Sequence, residues 1–279
     1  MKQRILTGIV LLLIFTPVII FSDTYVLVIA ASLCSVMGVY EMLSCTGQIK
    51  HLSLSIPALC YAAAGPVLAK TRFATAYGVL LAITLMFLFY LLYVHVFLSE
   101  KINTKDIAIV FMSSVYIAVS FTCIILLRNS ACYGEYTYLL TFIGACVTDI
   151  FAYFGGSLFG KHKLCPKVSP KKTIEGSVCG VVFCSLAFVL YAMLMGYLEN
   201  ITPNYPAVAL IGAFISIISQ LGDLAASAIK RDYKVKDYGH IFPGHGGILD
   251  RFDSILAVAP FLFILTGNPE FINVFNQIQ

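Results

Sequence analysis

Long apolar runs separated by short polar segments repeat along nearly the whole chain. Nine runs predict membrane-spanning helices, at about 5–21, 25–43, 52–69, 73–98, 107–127, 137–159, 177–198, 206–226 and 252–267. A run of about 17 or more apolar residues can cross a ~30 Å hydrocarbon core as a helix. The pattern therefore predicts an all-α, polytopic integral membrane helical bundle with about nine transmembrane helices.

Composition and charge agree with this fold and orient it. The chain is 59% hydrophobic and 11% charged, whereas a soluble domain carries roughly a quarter charged residues. With a cytoplasmic N-terminus, 15 of the 18 Lys and Arg residues fall in cytoplasmic segments, where such residues are enriched. No linker rich in Gly, Ser or Pro interrupts the pattern. We therefore expect one transmembrane domain over residues 1–279, with its N-terminus in the cytoplasm.

Two of the predicted spans contain an aspartate, Asp149 in the sixth and Asp223 in the eighth. An ionised carboxylate inside a membrane is costly unless it is paired or bound to a metal, so it indicates a functional site. Asp223 shares one helical face with Ser216, Gln220, Ser227 and Lys230. Tyr153 shares the face of Asp149. Hydrogen bonding between helices is the alternative explanation for these polar faces.

The polar loop at 160–176 contains five lysines together with Ser169 and Thr173. Lysine ammonium groups and neighbouring hydroxyls suit phosphate oxygens. The alternative is that the lysines set the topology and attract anionic lipid headgroups. Composition leaves both interpretations open.

The segment 227–253 joins the eighth predicted span to the ninth and is the most charged part of the chain. Asp250 and Asp253 are three residues apart on the first turn of the ninth span, so both can point the same way. Together with Asp223 they supply three carboxylates. Hard oxygen ligands of this kind suit Mg²⁺.

The same segment also carries groups that bind phosphate. Lys230, Arg231 and Lys236 would neutralise phosphate charge. The glycines around His245 let backbone N–H groups reach a phosphate. Carboxylates for a metal and cations for phosphate together indicate phosphoryl or nucleotidyl transfer. A solvated run of charge is the alternative, but it does not explain a histidine between glycines.

The segment follows the pattern S-x-(apolar)-K-R, four residues, K-D-x-G, two residues, (apolar)-P-x-H-G-G-(apolar)-x-D-R-x-D without a gap. The matching residues are Ser227, Lys230, Arg231, Lys236, Asp237, Gly239, Phe242, Pro243, His245, Gly246, Gly247, Asp250, Arg251 and Asp253. This pattern resembles the signature of the phosphatidate cytidylyltransferase family, also called CDP-diacylglycerol synthases. The G-D at 222–223, the S-P-x-K-T-x-E-G at 169–176 and the D-x-x-A-Y at 149–153 resemble further family motifs. Residues 1–130 resemble the family only as hydrophobic spans.

The resemblance implies a reaction that the residues alone do not name. In that reaction, phosphatidic acid attacks the α-phosphorus of CTP and gives CDP-diacylglycerol and pyrophosphate. The family requires Mg²⁺ and is often described with a second cation. Carried over to this chain, Asp223 and Asp250 are the leading metal ligands, with Asp253 as a further one.

The resemblance also implies roles for the remaining motif residues. The expected phosphate-binding residues are Lys230, Arg231, Lys236, Ser169, Lys172, Thr173, Gly246, Gly247 and Arg251. Asp237 and His245 complete the predicted catalytic set, and His245 either binds a phosphate or positions the loop. Asp149 and Tyr153 form a candidate intramembrane site without an assigned role.

The expected protein is an enzyme of a bacterial-type inner membrane, with its site at the cytoplasmic face. Residues 1–136 then supply N-terminal spans, and residues 137–279 supply the catalytic spans and cytoplasmic loops. The expected partners are CTP, phosphatidic acid and the lipid bilayer, with no nucleic acid, and a homodimer is left open. Two other classes remain. A CTP-dependent lipid-alcohol kinase would release CDP, and a membrane transporter leaves the lysine-rich loop unexplained.

Overall fold

The computed structural model of the chain describes residues 13–71, 75–130, 133–199, 201–242, 244, 246–267 and 275–277. Its helices are α1 (Tyr25–Cys45), α2 (Leu52–Thr71), α3 (Ala76–Phe97), α4 (Thr104–Arg128), α5 (Gly134–Thr137), α6 (Leu139–Phe159), α7 (Ile174–Glu199), α8 (Tyr205–Asp232) and α9 (Leu249–Thr266). Residues 13–20 are also helical, and a 3₁₀ turn at Gln48–Lys50 precedes α2. The chain is therefore mostly helical, as its apolar pattern predicts.

Seven helical segments among the described residues are long and apolar enough to cross a membrane. They are Tyr25–Cys45, Leu52–Thr71, Tyr77–Phe97, Thr104–Arg128, Gly134–Phe159, Ile174–Glu199 and Tyr205–Asp232. These segments correspond to the second through eighth predicted spans. The first predicted span lies partly outside the described residues, and the ninth corresponds to α9, which is not among the seven. The count of nine spans and the cytoplasmic N-terminus therefore stay predictions.

The all-α prediction needs one correction, because two short antiparallel sheets are present. Strand β1 (Lys163–Cys165) pairs with β2 (Ser169–Thr173), and β3 (Ile201–Pro203) pairs with β4 (Phe275–Gln277). The β1–β2 hairpin is formed by the lysine-rich segment. Pro166 and Pro170 disfavour a helix in this segment, and pairing between the strands satisfies backbone groups that would otherwise need water.

The chain divides into two compact units, which are residues 1–126 with 233–252 and residues 127–232 with 253–279. Among described elements, the first unit holds α1 to α3, most of α4 and the start of α9. The second unit holds α5 to α8, both sheets and the rest of α9. The prediction of a single domain over residues 1–279 remains untested by this division.

In the first unit, small residues let helices approach closely. A Cβ at Gly38 of α1 would lie 3.1 Å from the Leu249 side chain and 3.2 Å from that of Ile117. At Gly65 of α2, the Thr122 hydroxyl occupies the space of a side chain. The core around these contacts is apolar, with Val39, Leu43, Leu54, Leu91, Ile117 and Phe121 almost fully buried. This packing fixes the start of α9 against α1.

In the second unit, α6 and α7 pack with their backbones in contact. A Cβ at Gly176, near the start of α7, would come within 2.5 Å of the Ala152 carbonyl oxygen and 2.9 Å of the Gly156 nitrogen. Small residues at such interfaces are typical of membrane helices, whose association depends on close packing. The contact places the β1–β2 hairpin, which leads directly into α7, beside the end of α6.

We expect Gly176→Ala to destabilise the second unit. The added methyl group has no space against the α6 backbone, and overpacking of this kind typically costs about 1–3 kcal/mol. The measurement is the thermal unfolding midpoint of the detergent-purified protein. Gly78→Ala in α3 is the matched control, because a Cβ at Gly78 meets nothing within 4 Å. Equal midpoints for the two variants would contradict the close packing of α6 and α7.

Candidate active site

A cavity of about 380 Å³ lies in the second unit, between α6, α7, α8 and the β1–β2 hairpin. Its polar lining residues are Asp149, Tyr153, Ser157, Lys171, Lys172, Thr173, Ser177, Gln220 and Asp223. Ala152, Gly156 and Leu164 complete the lining. The cavity therefore brings together acidic residues of two predicted spans and the lysine-rich segment.

An ion pair joins the two charged sides of the cavity. The Lys172 Nζ atom lies 2.6 Å from Asp223 Oδ2, and the two side chains are 24% and 26% exposed. Ser227, one turn further along α8, donates a hydrogen bond to Asp223 Oδ1 at 3.3 Å. A predicted phosphate-binding lysine and a predicted metal ligand are therefore in direct contact in the cavity wall.

The carboxylate of Asp149 has a partner on α9. The hydroxyl of Ser254 donates to Asp149 at 3.2 Å from Oδ2 and 3.5 Å from Oδ1. The preceding residue, Asp253, interacts electrostatically with Asp223, Asp149 and Lys230. Three carboxylates from α6, α8 and α9 thus surround one region of the second unit, and lysines supply the opposite charge.

The polar face of α8 serves two purposes. Thr148 of α6 donates to the Ser216 hydroxyl at 2.9 Å, and the Gln220 side-chain amide donates to Ser216 and to the Ser177 carbonyl at 3.4 and 3.3 Å. The bonds from Thr148 to Ser216 and from Gln220 to Ser177 connect helices, as the alternative explanation for the polar face requires. Asp223, further along the same face, lines the cavity together with Gln220. The bonded residues hold α8 at a fixed rotation, and this rotation keeps Asp223 at the cavity.

Glu175 ties the hairpin to the start of α7. Its carboxylate accepts hydrogen bonds from the backbone N–H groups of Lys161 and His162 and lies 2.6 Å from the His162 ring nitrogen. The Gly176 N–H donates to the Thr173 hydroxyl at 3.2 Å. These contacts hold β2, and with it Lys172, at the cavity wall.

In the first unit, Asp250 holds the segment that precedes α9. Its Oδ2 atom accepts hydrogen bonds from the backbone N–H groups of Tyr238 and Gly247, at 2.8 and 3.0 Å. Asp250 is only 8% exposed. The Gly247 N–H, predicted to reach a phosphate, therefore donates to a side chain of its own segment in this structure.

A tight turn follows Phe242, whose N–H donates to the Gly246 carbonyl at 2.9 Å. Gly244 and Gly246 have φ angles of 77° and 80°, in the left-handed region that favours glycine. Two residues of the turn, Pro243 and the predicted site residue His245, lie outside the described residues. The conformation of this turn therefore explains why glycine occupies positions 244 and 246.

Comparison with known proteins adds the decisive observation. A sequence profile described as the cytidylyltransferase family matches residues 2–267. A phosphatidate cytidylyltransferase of Bacillus subtilis (strain 168) is 38% identical over 279 residues, covering 95% of this chain and 97% of the relative. Those of Staphylococcus haemolyticus (strain JCSC1435) and Staphylococcus aureus (strain COL) are 36% identical over 267 residues, covering 95% of this chain and 98% of each relative. The chain belongs to the phosphatidate cytidylyltransferase family.

The predicted site residues are distributed over the two compact units. Asp149, Tyr153, Lys172, Thr173 and Asp223 line the cavity. Ser169 in β2, Lys230 and Arg231 at the end of α8, and Asp253 in α9 also belong to the second unit. Arg231 Nε donates to the Val168 carbonyl of the hairpin at 3.4 Å. Lys236, Asp237, Gly246, Gly247, Asp250 and Arg251 belong to the first unit.

The donor set of the second unit fits Mg²⁺. Among the described residues, no group of three or more His, Cys, Asp or Glu side chains is arranged to hold a metal ion. Mg²⁺ usually takes one or two carboxylates, with waters and substrate phosphates as its other ligands. Asp223 and Asp253 offer two carboxylates on adjacent helices, since a Cβ at Gly222 would lie 3.1 Å from the Asp253 carbonyl oxygen. Asp250, which with Asp223 was predicted as a leading metal ligand, stays a prediction.

One buried carboxylate of the first unit was not predicted as a site residue. Glu41 of α1 is 3% exposed and accepts hydrogen bonds from the backbone N–H groups of Ile248 and Leu249, both at 2.9 Å. It lies in residues 1–130, outside the motifs. An acidic residue inside the second predicted span is the signal that would have found it, because the same criterion singled out Asp149.

Proposed function

We propose that this protein transfers the cytidylyl group of CTP to phosphatidic acid, forming CDP-diacylglycerol and pyrophosphate. Its family membership supports this activity, since relatives that match over nearly their whole length are named phosphatidate cytidylyltransferases. The observation that carries the site assignment is the cavity in which Lys172 and Asp223 form an ion pair. Cations for phosphate and carboxylates for a metal lie together there.

The reaction is a displacement at phosphorus. A phosphate oxygen of phosphatidic acid forms a bond to the α-phosphorus of CTP. The bond from that phosphorus to the oxygen bridging the β-phosphate breaks, and pyrophosphate leaves with the electron pair. The attacking phosphate is already ionised, so positioning and charge neutralisation contribute more than proton transfer.

The residues of the cavity can both position the substrates and neutralise their charge. Lys171 and Lys172 line it and would neutralise the phosphates of the two substrates. The Thr173 hydroxyl, which accepts from Gly176, still has its proton to donate to a phosphate oxygen. Asp223 and Asp253 would hold Mg²⁺, which when bound neutralises further phosphate charge. A second cation, a homodimer and the phosphate-binding roles of the first-unit residues rest on the family resemblance.

The surroundings of the cavity suit a lipid substrate. Tyr153 lines the cavity and is 72% exposed, and Phe154 and Leu158 on the same helix are 54% and 73% exposed. Exposed apolar residues on a membrane-spanning helix face lipid. Phosphatidic acid would therefore enter from the bilayer beside α6 while CTP enters from water. We place this entrance at the cytoplasmic face because the lysine-rich hairpin borders it.

The products distinguish this activity from that of a CTP-dependent lipid-alcohol kinase. With CTP labelled at its α-phosphorus, phosphatidic acid and Mg²⁺, we expect the label in CDP-diacylglycerol and one pyrophosphate released for each labelled lipid. A kinase would leave the label in water-soluble CDP. The assay uses detergent-purified protein, where no sealed compartment exists for a transporter. Labelled CDP without labelled lipid would contradict the proposed reaction.

A further inference from the structure

Glu41 holds the segment 233–248 from a distant part of the chain. Its two carboxylate oxygens each accept one backbone N–H, from Ile248 and from Leu249. These N–H groups belong to the start of α9, where a helix leaves its first N–H groups without partners inside the helix. A carboxylate is favoured at this end because the helix dipole is positive there.

Two glycines of the signature make room for this carboxylate. A Cβ at Gly239 or at Gly247 would overlap with the carboxylate of Glu41. Neither glycine has a positive φ, so backbone conformation does not explain them. The space that the Glu41 side chain occupies explains why both positions are glycine. Gly247 also donates its N–H to Asp250, so two carboxylates fix the same stretch of backbone.

The chemistry of this contact requires a carboxylate. Two N–H groups converge on Glu41, and an ionised carboxylate offers an acceptor to each. A glutamine of the same shape offers one oxygen, and its NH₂ group would face the second N–H. An unpaired buried polar group costs free energy. Glu41→Gln would therefore remove one of the two hydrogen bonds, while the volume of the side chain stays the same.

We propose that Glu41 is a positioning residue for cytidylyl transfer. It fixes the backbone of the segment 233–248 at Gly239 and Ile248, and that segment carries Lys236, which the family resemblance assigns to phosphate binding. Glu41 acts through the segment and touches no substrate. The inference rests on the proposed function, because it requires that the segment binds CTP.

The test measures KM for CTP and for phosphatidic acid in Glu41→Gln, together with the thermal unfolding midpoint. We expect KM for CTP to rise by about 10-fold or more, the effect of losing a hydrogen bond to a charged group, with KM for phosphatidic acid unchanged. Glu41→Asp keeps two acceptors and should show a smaller rise. Glu100→Gln, in an exposed turn, is the matched control and should leave both KM values unchanged.

A purely structural role would give a different result. Partial unfolding of Glu41→Gln lowers the active fraction and thus the apparent kcat, but it leaves KM for CTP unchanged, and that outcome would overturn the proposal. If Glu41→Gln fails to fold, the same KM comparison on Glu41→Asp decides. Lys236→Met tests the segment separately. A normal KM for CTP in Lys236→Met, with a raised one in Glu41→Gln, would remove the assigned role of Lys236 and keep that of Glu41.

Discussion

Asp223→Asn is expected to abolish Mg²⁺-dependent formation of CDP-diacylglycerol, with kcat lowered by roughly 10³-fold or more, as for other groups that stabilise phosphoryl-transfer charge. The amide has the shape of the carboxylate and can still accept from Ser227, so the protein should insert and fold. It carries no charge and is a poor ligand for Mg²⁺. The measurement is initial rate at saturating CTP and phosphatidic acid over a range of Mg²⁺ concentrations.

Asp232→Asn is the matched control, because it makes the same change nine residues later, at the exposed last residue of α8. It lies outside the cavity lining and should keep normal activity. If Asp223→Asn retained the activity of this control, Asp223 would not be a metal ligand. If its activity returned at high Mg²⁺ concentration, the assignment would be strengthened.

The helices of this protein could be predicted from sequence because a membrane imposes a strong constraint. Every backbone polar group in the hydrocarbon must be bonded within the segment, so a long apolar run has few alternatives to a helix. The sixth predicted span, 137–159, agrees with the observed apolar segment Gly134–Phe159 within a few residues. The β1–β2 hairpin lacks such a signal, since its strands are short and polar and depend on pairing with each other.

The sequence predicts candidate site residues, but it does not predict the partners that these residues have in the structure. Helical periodicity placed Asp149 on the same face as Tyr153, yet its hydrogen-bond donor, Ser254, lies 105 residues away in sequence. Asp250 and Asp253 are close in sequence, and their spacing allows both to point the same way. In the structure Asp250 binds backbone N–H groups of Tyr238 and Gly247, whereas Asp253 interacts with Asp223. Such differences arise from tertiary packing, which local spacing does not contain.

The signature glycines show how one motif can satisfy two requirements. From sequence, Gly246 and Gly247 indicated a backbone that approaches a phosphate. In the structure, Gly246 adopts a positive φ and Gly247 leaves space for Glu41. A substitution at either glycine would therefore disturb the segment even before a substrate binds. Activity loss in such variants alone would not identify a phosphate contact, which is why charge-changing variants at the cavity are the stronger test.

Lys172→Gln is expected to lower kcat/KM for CTP by about 10²-fold, the effect of removing one strong electrostatic donor from an active site. The ammonium group is 2.6 Å from Asp223, so its loss also leaves a partly buried carboxylate without its cation. Binding of Mg²⁺ should then be preserved or improved, because Lys172 no longer competes for Asp223. The measurement is kcat/KM for CTP together with the Mg²⁺ concentration that gives half-maximal activity.

The double variant Lys172→Gln/Asp223→Asn distinguishes a shared role from two separate ones. Residues that act as a unit give non-additive losses, so we expect the double variant to be no less active than Asp223→Asn alone. Lys101→Gln, at an exposed lysine in the turn between α3 and α4, controls for the loss of one positive charge. The phosphate-binding role requires the cation of Lys172 in the cavity. Equal kcat/KM values in Lys172→Gln and Lys101→Gln would therefore contradict that role. The lysines of the hairpin would then serve to set the topology and to attract anionic lipids.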